Sequence, residues 1–152
     1  LTGWAYAGNP ALEGKTVTDD GRFLTKNGRL VVAVSHLERV YNRISTVRQF
    51  SRDFVLKLEF RASPNADSGI FVRGPQLQCR DFLIAGPYAA LQHYRPLDWN
   101  EMVVTVKGGL AHCTCNGETL IDAMPVPATG PISLESDHGQ MEYRRIRVQE
   151  SP

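Results

Sequence analysis

At 152 residues the chain falls in the range of one domain, long enough to bury about two thirds of its unfolded surface around a single core. Charged residues make up 22% and the net charge is +1, so no field of one sign draws the protein to nucleic acid or to an anionic membrane. No apolar run approaches the ~20 residues of a membrane helix.

The chain begins at Leu1 rather than Met, from which we expect a processed or trimmed chain, and with an export signal removed a periplasmic or secreted protein. Thirteen glycines and nine prolines cut the sequence into short runs, which favours strands and turns over helices. In chain order the predicted strands are Phe23 to Thr25, Arg29 to Ser35, Tyr41 to Ser45, Asp53 to Arg61, Ser68 to Arg73, Leu77 to Ile84, Met102 to Lys107, Leu110 to Cys115, Glu118 to Asp122, Gly130 to Ser136 and Tyr143 to Gln149. That many short strands in one domain form an antiparallel sandwich or barrel. Neither an internal repeat nor a linker divides the chain, so residues 1–152 are expected to form one domain.

Between Leu37 and Arg52 the arginines Arg39, Arg43, Arg48 and Arg52 are dispersed, as on a solvated face. The run from Asp53 to Gly74 carries the strongest pattern. Phe54, Leu56, Leu58 and Phe60 alternate with Val55, Lys57, Glu59 and Arg61, one apolar face and one polar. After the turn-rich ASPNAD segment, Ile70 and Val72 point to the core and Phe71 and Arg73 away from it. If these strands pair as a hairpin, Glu59, Arg61, Phe71 and Arg73 share one polar surface.

Cys79, Cys113 and Cys115 are odd in number, so at least one is unpaired within the chain. Cys113 and Cys115 are two apart on a strand and point the same way. That is poor geometry for a disulfide and only half of a zinc pattern, so the cysteines read as small buried hydrophobes and no metal is expected. Trp99 and Asn100 precede a strand; the indole suits either a sugar ring or the edge of a core. His93, Tyr94 and Arg95, with Tyr88, form either a polar aromatic rim or plain surface. Asn116-Gly117 is a two-residue hairpin turn.

Nucleophile elbows, phosphate loops, H-E-x-x-H and dinucleotide fingerprints are absent, and no cofactor is expected. Of the histidines His36, His93, His112 and His138, only His138 has a suggestive context, at the end of the ISLESD strand, where it reads as a general acid or base or as a solvated turn residue. Glu59 and Glu135 are outward residues of buried strands. Two acids are what glycosidic cleavage uses, and equally what a structural ion-pair network contains.

Taken together, DFVLKLEFR, ADSGIFVRG, DWNEMVVTVKGG, CNGETLID and GPISLESDHGQMEYRRIRV resemble, in order and spacing, the 3-keto-disaccharide hydrolase domain family. The resemblance implies a concanavalin A-like jelly roll, an all-β antiparallel sandwich whose concave face binds carbohydrate, and in some members hydrolysis of 3-keto sugars. Carried over by position, Glu59 and Arg61 match the family's E-F-R, Arg73 the arginine of its S-G-I-F-x-R, Trp99 and Asn100 its W-N, and His138 a histidine near the last strands. Two positions depart from the pattern. Gln76 stands where the family has an acid, with Gln78 kept, and Glu135 stands where it has a glutamine. The resemblance thus implies a glycoside ligand, with Glu59, Glu135 and His138 as catalytic candidates and Arg61, Phe71, Arg73, Gln76, Gln78, Trp99 and Asn100 as substrate-binding ones. A non-catalytic carbohydrate-binding module and a protein interaction domain are the alternatives.

Overall fold

The computed structural model of the chain describes residues 1–6, 11–34, 37, 39, 41–84 and 86–152. Ser35, the predicted end of the second strand, and His36 lie outside the described residues, as do positions 38 and 40 of the arginine-bearing segment.

The fold is an antiparallel β-sandwich of the concanavalin A-like jelly-roll type. One sheet contains β1 (Trp4–Tyr6), β4 (Asn42–Thr46), β11 (Ile132–Ser136), β6 (Asp67–Val72) and β7 (Gln76–Arg80), adjacent in that order. The other contains β10 (Glu118–Pro125), β9 (Leu110–Cys115), β8 (Asn100–Lys107), β5 (Phe54–Ala62), β12 (Gln140–Glu150), β3 (Arg29–Ala33) and β2 (Phe23–Lys26). Period-two alternation builds the core between them. Phe54, Leu56, Leu58 and Phe60 of β5 meet Ile70 and Val72 of β6, Leu77 of β7, and Ile132 and Leu134 of β11, all essentially inaccessible to solvent. Each such side chain contributes about 1.5–3 kcal/mol of burial.

β5 and β6 do not form the hairpin that their adjacency suggests. β5 pairs with β8 and β12, and β6 pairs with β7 and β11, in the opposite sheet. The chain between them closes a tight turn in which the Ala66 amide donates to the Ser63 carbonyl at 3.0 Å and Asn65 adopts a φ of 61°. That turn carries the chain across the sandwich, so both strands can bury their apolar faces in one core. Glu59 and Arg61 therefore lie on one outer surface of the molecule and Phe71 on the other.

β7 stops at Arg80, short of the predicted Ile84, and Phe82–Ile84 is a 3-10 turn. Asp81 ends the strand: its carboxylate accepts from the amides of Asn65 (3.0 Å) and Leu83 (3.3 Å) and from the Tyr94 hydroxyl (3.2 Å). β1 is a three-residue edge strand that the pattern did not mark. The Asn116-Gly117 turn forms as expected, with φ of 47° and 85° and Cys115 paired to Glu118. The three cysteines are free and buried, and burial pushes the Cys115 thiol up to about 12.

Candidate functional site

The outer face of the five-stranded sheet carries a polar cluster. β11 turns Ser133 and Glu135 outward, with Asp137 just past its end, and β4 turns Arg43 and Ser45 outward beside them. Across β11, β6 contributes Asp67, Gly69 and Phe71, and β7 contributes Gln76, Gln78 and Arg80. Gly69 is the key to the geometry. A Cβ at that position would collide with the Gln76 amide and lie 2.9 Å from Gln76 Cγ. Its absence leaves a trough through which Gln76 crosses β6, and Gln76 Nε2 donates to Glu135 Oε2 at 3.0 Å.

The carboxylates are buried: Asp67, Glu135 and Asp137 are 7%, 8% and 4% exposed. Gln78 Nε2 donates to Asp67 Oδ1 at 2.5 Å, and Arg80 Nη1 lies 3.1 Å from Asp67 Oδ2. Arg39 bridges two acids, 3.2 Å from Asp137 Oδ2 and 3.7 Å from Asp67 Oδ2. Asp137 Oδ1 is buried without a hydrogen-bond partner among the described residues. Burial, then repulsion from Asp137 and Asp67, raises Glu135 above the ordinary carboxylate range, against the pull of Arg43 and Gln76. Burial likewise raises Asp137, with Arg39 opposing. The Arg43 guanidinium stacks 3.7 Å above the Phe71 ring.

Of the residues singled out from the sequence, Glu135, Phe71, Gln76 and Gln78 come together here. His138 sits at the rim: its backbone pairs with that of Asp67 and its Nδ1 lies 2.9 Å from the Asn65 carbonyl. Glu59, Arg61 and Trp99 lie on the opposite outer face. There Glu59 Oε2 accepts from Arg144 Nε at 2.5 Å and Oε1 from Arg145 Nη1 at 2.7 Å. Burial acts to raise Glu59, but these two guanidiniums outweigh it and hold the carboxyl below its usual range. Arg61 pairs with Glu142 at 2.7 Å, and the Trp99 ring lies beneath Arg144 (3.9 Å) and beside Arg61 (5.0 Å).

Two further residues are internal. The fully buried Asn100 braces the preceding loop: its Oδ1 accepts from the Arg95 amide and its Nδ2 donates to the Arg95 and Asp98 carbonyls, each at 2.8 Å. Arg73, 5% exposed, donates to the carbonyls of Pro127 and Arg52 and covers Phe54 at 5.3 Å. Both side chains are engaged by the backbone rather than presented on a face.

Asp67, Asp137, Arg39, Arg43 and Arg80 were not singled out as site residues. Asp137 had a signal, since it lies two residues after Glu135, just past the end of β11. Arg43 had a weaker one, as the outward neighbour of the inward Ile44.

The chain is similar in fold to several carbohydrate-related proteins. A protein from Parabacteroides distasonis, provisionally assigned as a glycosyl hydrolase, superposes with a TM-score of 0.72 at 16% identity, covering 99% of this chain and 89% of that one. The carbohydrate-binding module CBM66 from Bacillus subtilis gives 0.62 at 10% identity over 99% and 97%. An alginate lyase from Corynebacterium sp. gives 0.56 at 10% identity over 90% and 84%. No curated protein matches by sequence. The chain belongs to the 3-keto-alpha-glucoside-1,2-lyase-like domain family, which matches it over residues 1–149.

Proposed function

We propose that this 3-keto-α-glucoside-1,2-lyase-like domain binds a 3-keto glycoside on the outer face of its five-stranded sheet, with Glu135 as the base. The observation that carries this reading is the setting of Glu135. It is a carboxylate held by one amide and faced by one guanidinium, with its affinity for protons raised by burial and by two neighbouring acids. A raised carboxyl is a stronger base once ionised. A keto group at C3 acidifies the C2–H bond. Glu135 takes that proton, the C–H electron pair forms a C1–C2 double bond, and the C1–oxygen bond breaks; the departing oxygen takes up a proton. Water adding across the resulting enone completes a net hydrolysis. Gln76, Gln78 and Arg43 supply donors for the keto oxygen and hydroxyls, and the Phe71 edge offers apolar surface to the ring.

The test is incubation with 3-keto-glucosides, following aglycone release. The wild type releases aglycone, Glu135→Gln loses about 100-fold or more, and Glu59→Gln, on the far face, stays within about twofold. Equal losses for both variants, or none for Glu135→Gln, would count against this assignment. A second reading, a sugar-binding module without turnover, is favoured by the amide at position 76 and by the likeness to CBM66 along almost the whole chain. Sugar binding with no aglycone release by the wild type would select it.

A further inference from the structure

The outer face of the seven-stranded sheet holds a cleft of about 390 Å³ lined by Glu59, Arg95, Trp99, Glu101, Asn116 and Arg144. Its construction differs from an ordinary surface ion-pair ladder. β12 bulges between Arg144 and Arg147, with Arg145 at a φ of 52°, so two successive arginines turn toward the same Glu59 instead of to opposite faces. The Glu59 carboxylate takes the Nε edge of Arg144, and the Arg144 Cζ lies over the Trp99 ring, 3.9 Å from its centroid. Both contacts fix the guanidinium plane. Neither uses the Nη groups, which have no hydrogen-bond partner among the described residues. The exposed Arg95 side chain, at the mouth of the same cleft, is also without an ion pair among them.

We propose that this cleft is a second ligand site, separate from the Glu135 face, which takes the carboxylate of an acidic sugar on Arg144 and Arg95. A guanidinium held from its Nε side and stacked on an aromatic ring offers its remaining N–H pair in the fork that a carboxylate accepts bidentately, with little ordering left to pay for on binding. Around the cleft the guanidiniums of Arg95, Arg144 and Arg145 face the carboxylates of Glu59 and Glu101, and Arg61 beside Trp99 is paired with Glu142, so the formal surplus of positive charge suits a monoanion. Glu101, exposed at the edge, is an acceptor for sugar hydroxyls and is repelled by a compact dianion. Carboxylate and hydroxyl together match a uronic acid better than a bare anion or a neutral hexose. The choice of a sugar to carry the carboxylate rests on the carbohydrate reading of the domain; the anion-accepting geometry does not.

Calorimetric titration at low salt with D-glucuronate, D-glucose and acetate tests the site, with the Trp99 indole N–H resonance reporting where the ligand sits. Glucuronate is expected to bind more tightly than either of the others and to move the Trp99 signal. Arg144→Met and Arg95→Ala each weaken it about tenfold or more, while Glu135→Gln leaves it unchanged. The Arg95 side chain has no hydrogen bond, ion pair or ring contact among the described residues, so its variant decides the matter even if Arg144→Met perturbs β12. Loss of glucuronate affinity in Glu135→Gln but not in the arginine variants would overturn the proposal, as would acetate binding equal to glucuronate, or no binding of glucuronate at all. Aglycone release is measured separately, so failure of the Glu135 assignment and failure of this one give different results.

Discussion

The base proposed for the reaction, Glu135, has a cost in stability above its ordinary titration range. Its folded-state proton affinity lies above the ordinary value of 4.5, so over the interval between the two the native state holds a proton that the unfolded state has released. The slope of unfolding free energy with pH is therefore negative there: this group's contribution is fully present below 4.5 and is lost as pH rises through the raised value. Asp137, also raised, acts in the same direction. Glu135→Gln should thus flatten the fall in stability across that interval and raise the denaturation midpoint at neutral pH, and on the proposed assignment it removes activity. Urea titrations of wild type and variant across about pH 4 to 8 would show it, and a steeper decline in the variant would contradict the burial argument. In the wild type, kcat/KM should rise with pH through the same titration.

Strands and turns decide which of these side chains meet. Two glycines show the difference between a site requirement and a fold requirement. At Gly69 the three atoms nearest an added Cβ all belong to the movable Gln76 side chain, so Gly69→Ala should displace Gln76 from Glu135 and cut turnover while changing stability by less than about 1 kcal/mol. At Gly130 a Cβ would lie 2.6 Å from the Arg73 Cα, where backbone must shift, so Gly130→Ala should cost on the order of 1–3 kcal/mol with little direct effect on the site. Equilibrium unfolding alongside aglycone release separates the two; equal destabilisation by both substitutions would refute the distinction. Most strands were legible from alternation because β5, β8 and β9 each present one face to the core and one to solvent. β6 follows its alternation too, with Ile70 and Val72 in the core and Phe71 on the outer face, but all six of its residues are buried, and the pattern gave no sign that the outer face is covered. The bulge in β12 left no mark, since its residue at positive φ is Arg145 rather than a glycine.

Across the whole molecule, one apolar core fastens both outer faces in place. Phe60 packs against Phe82 (5.8 Å) and Tyr94 (6.4 Å), and so ties the central strand of the larger sheet to the segment that leads into Arg95 and Trp99. Phe60→Ala should cost about 3–5 kcal/mol by urea denaturation and loosen both faces together. A loss below ~1 kcal/mol would mean that the core reorganises around the gap. Composition and period-two patterning by themselves determined an all-β sandwich, its apolar positions, its Asn116-Gly117 hairpin and its buried cysteines, because each of these follows from forces acting within a few residues of the chain. Only the tertiary structure decided that β5 and β6 belong to different sheets. Strand pairing between residues far apart in sequence assigned Glu59 to two arginines of β12 and Glu135 to Gln76 across Gly69. Two glutamates that look alike in the sequence thereby became a clamped anion on one face and a raised carboxyl on the other, since proton affinity is set by neighbours that the chain brings together only on folding.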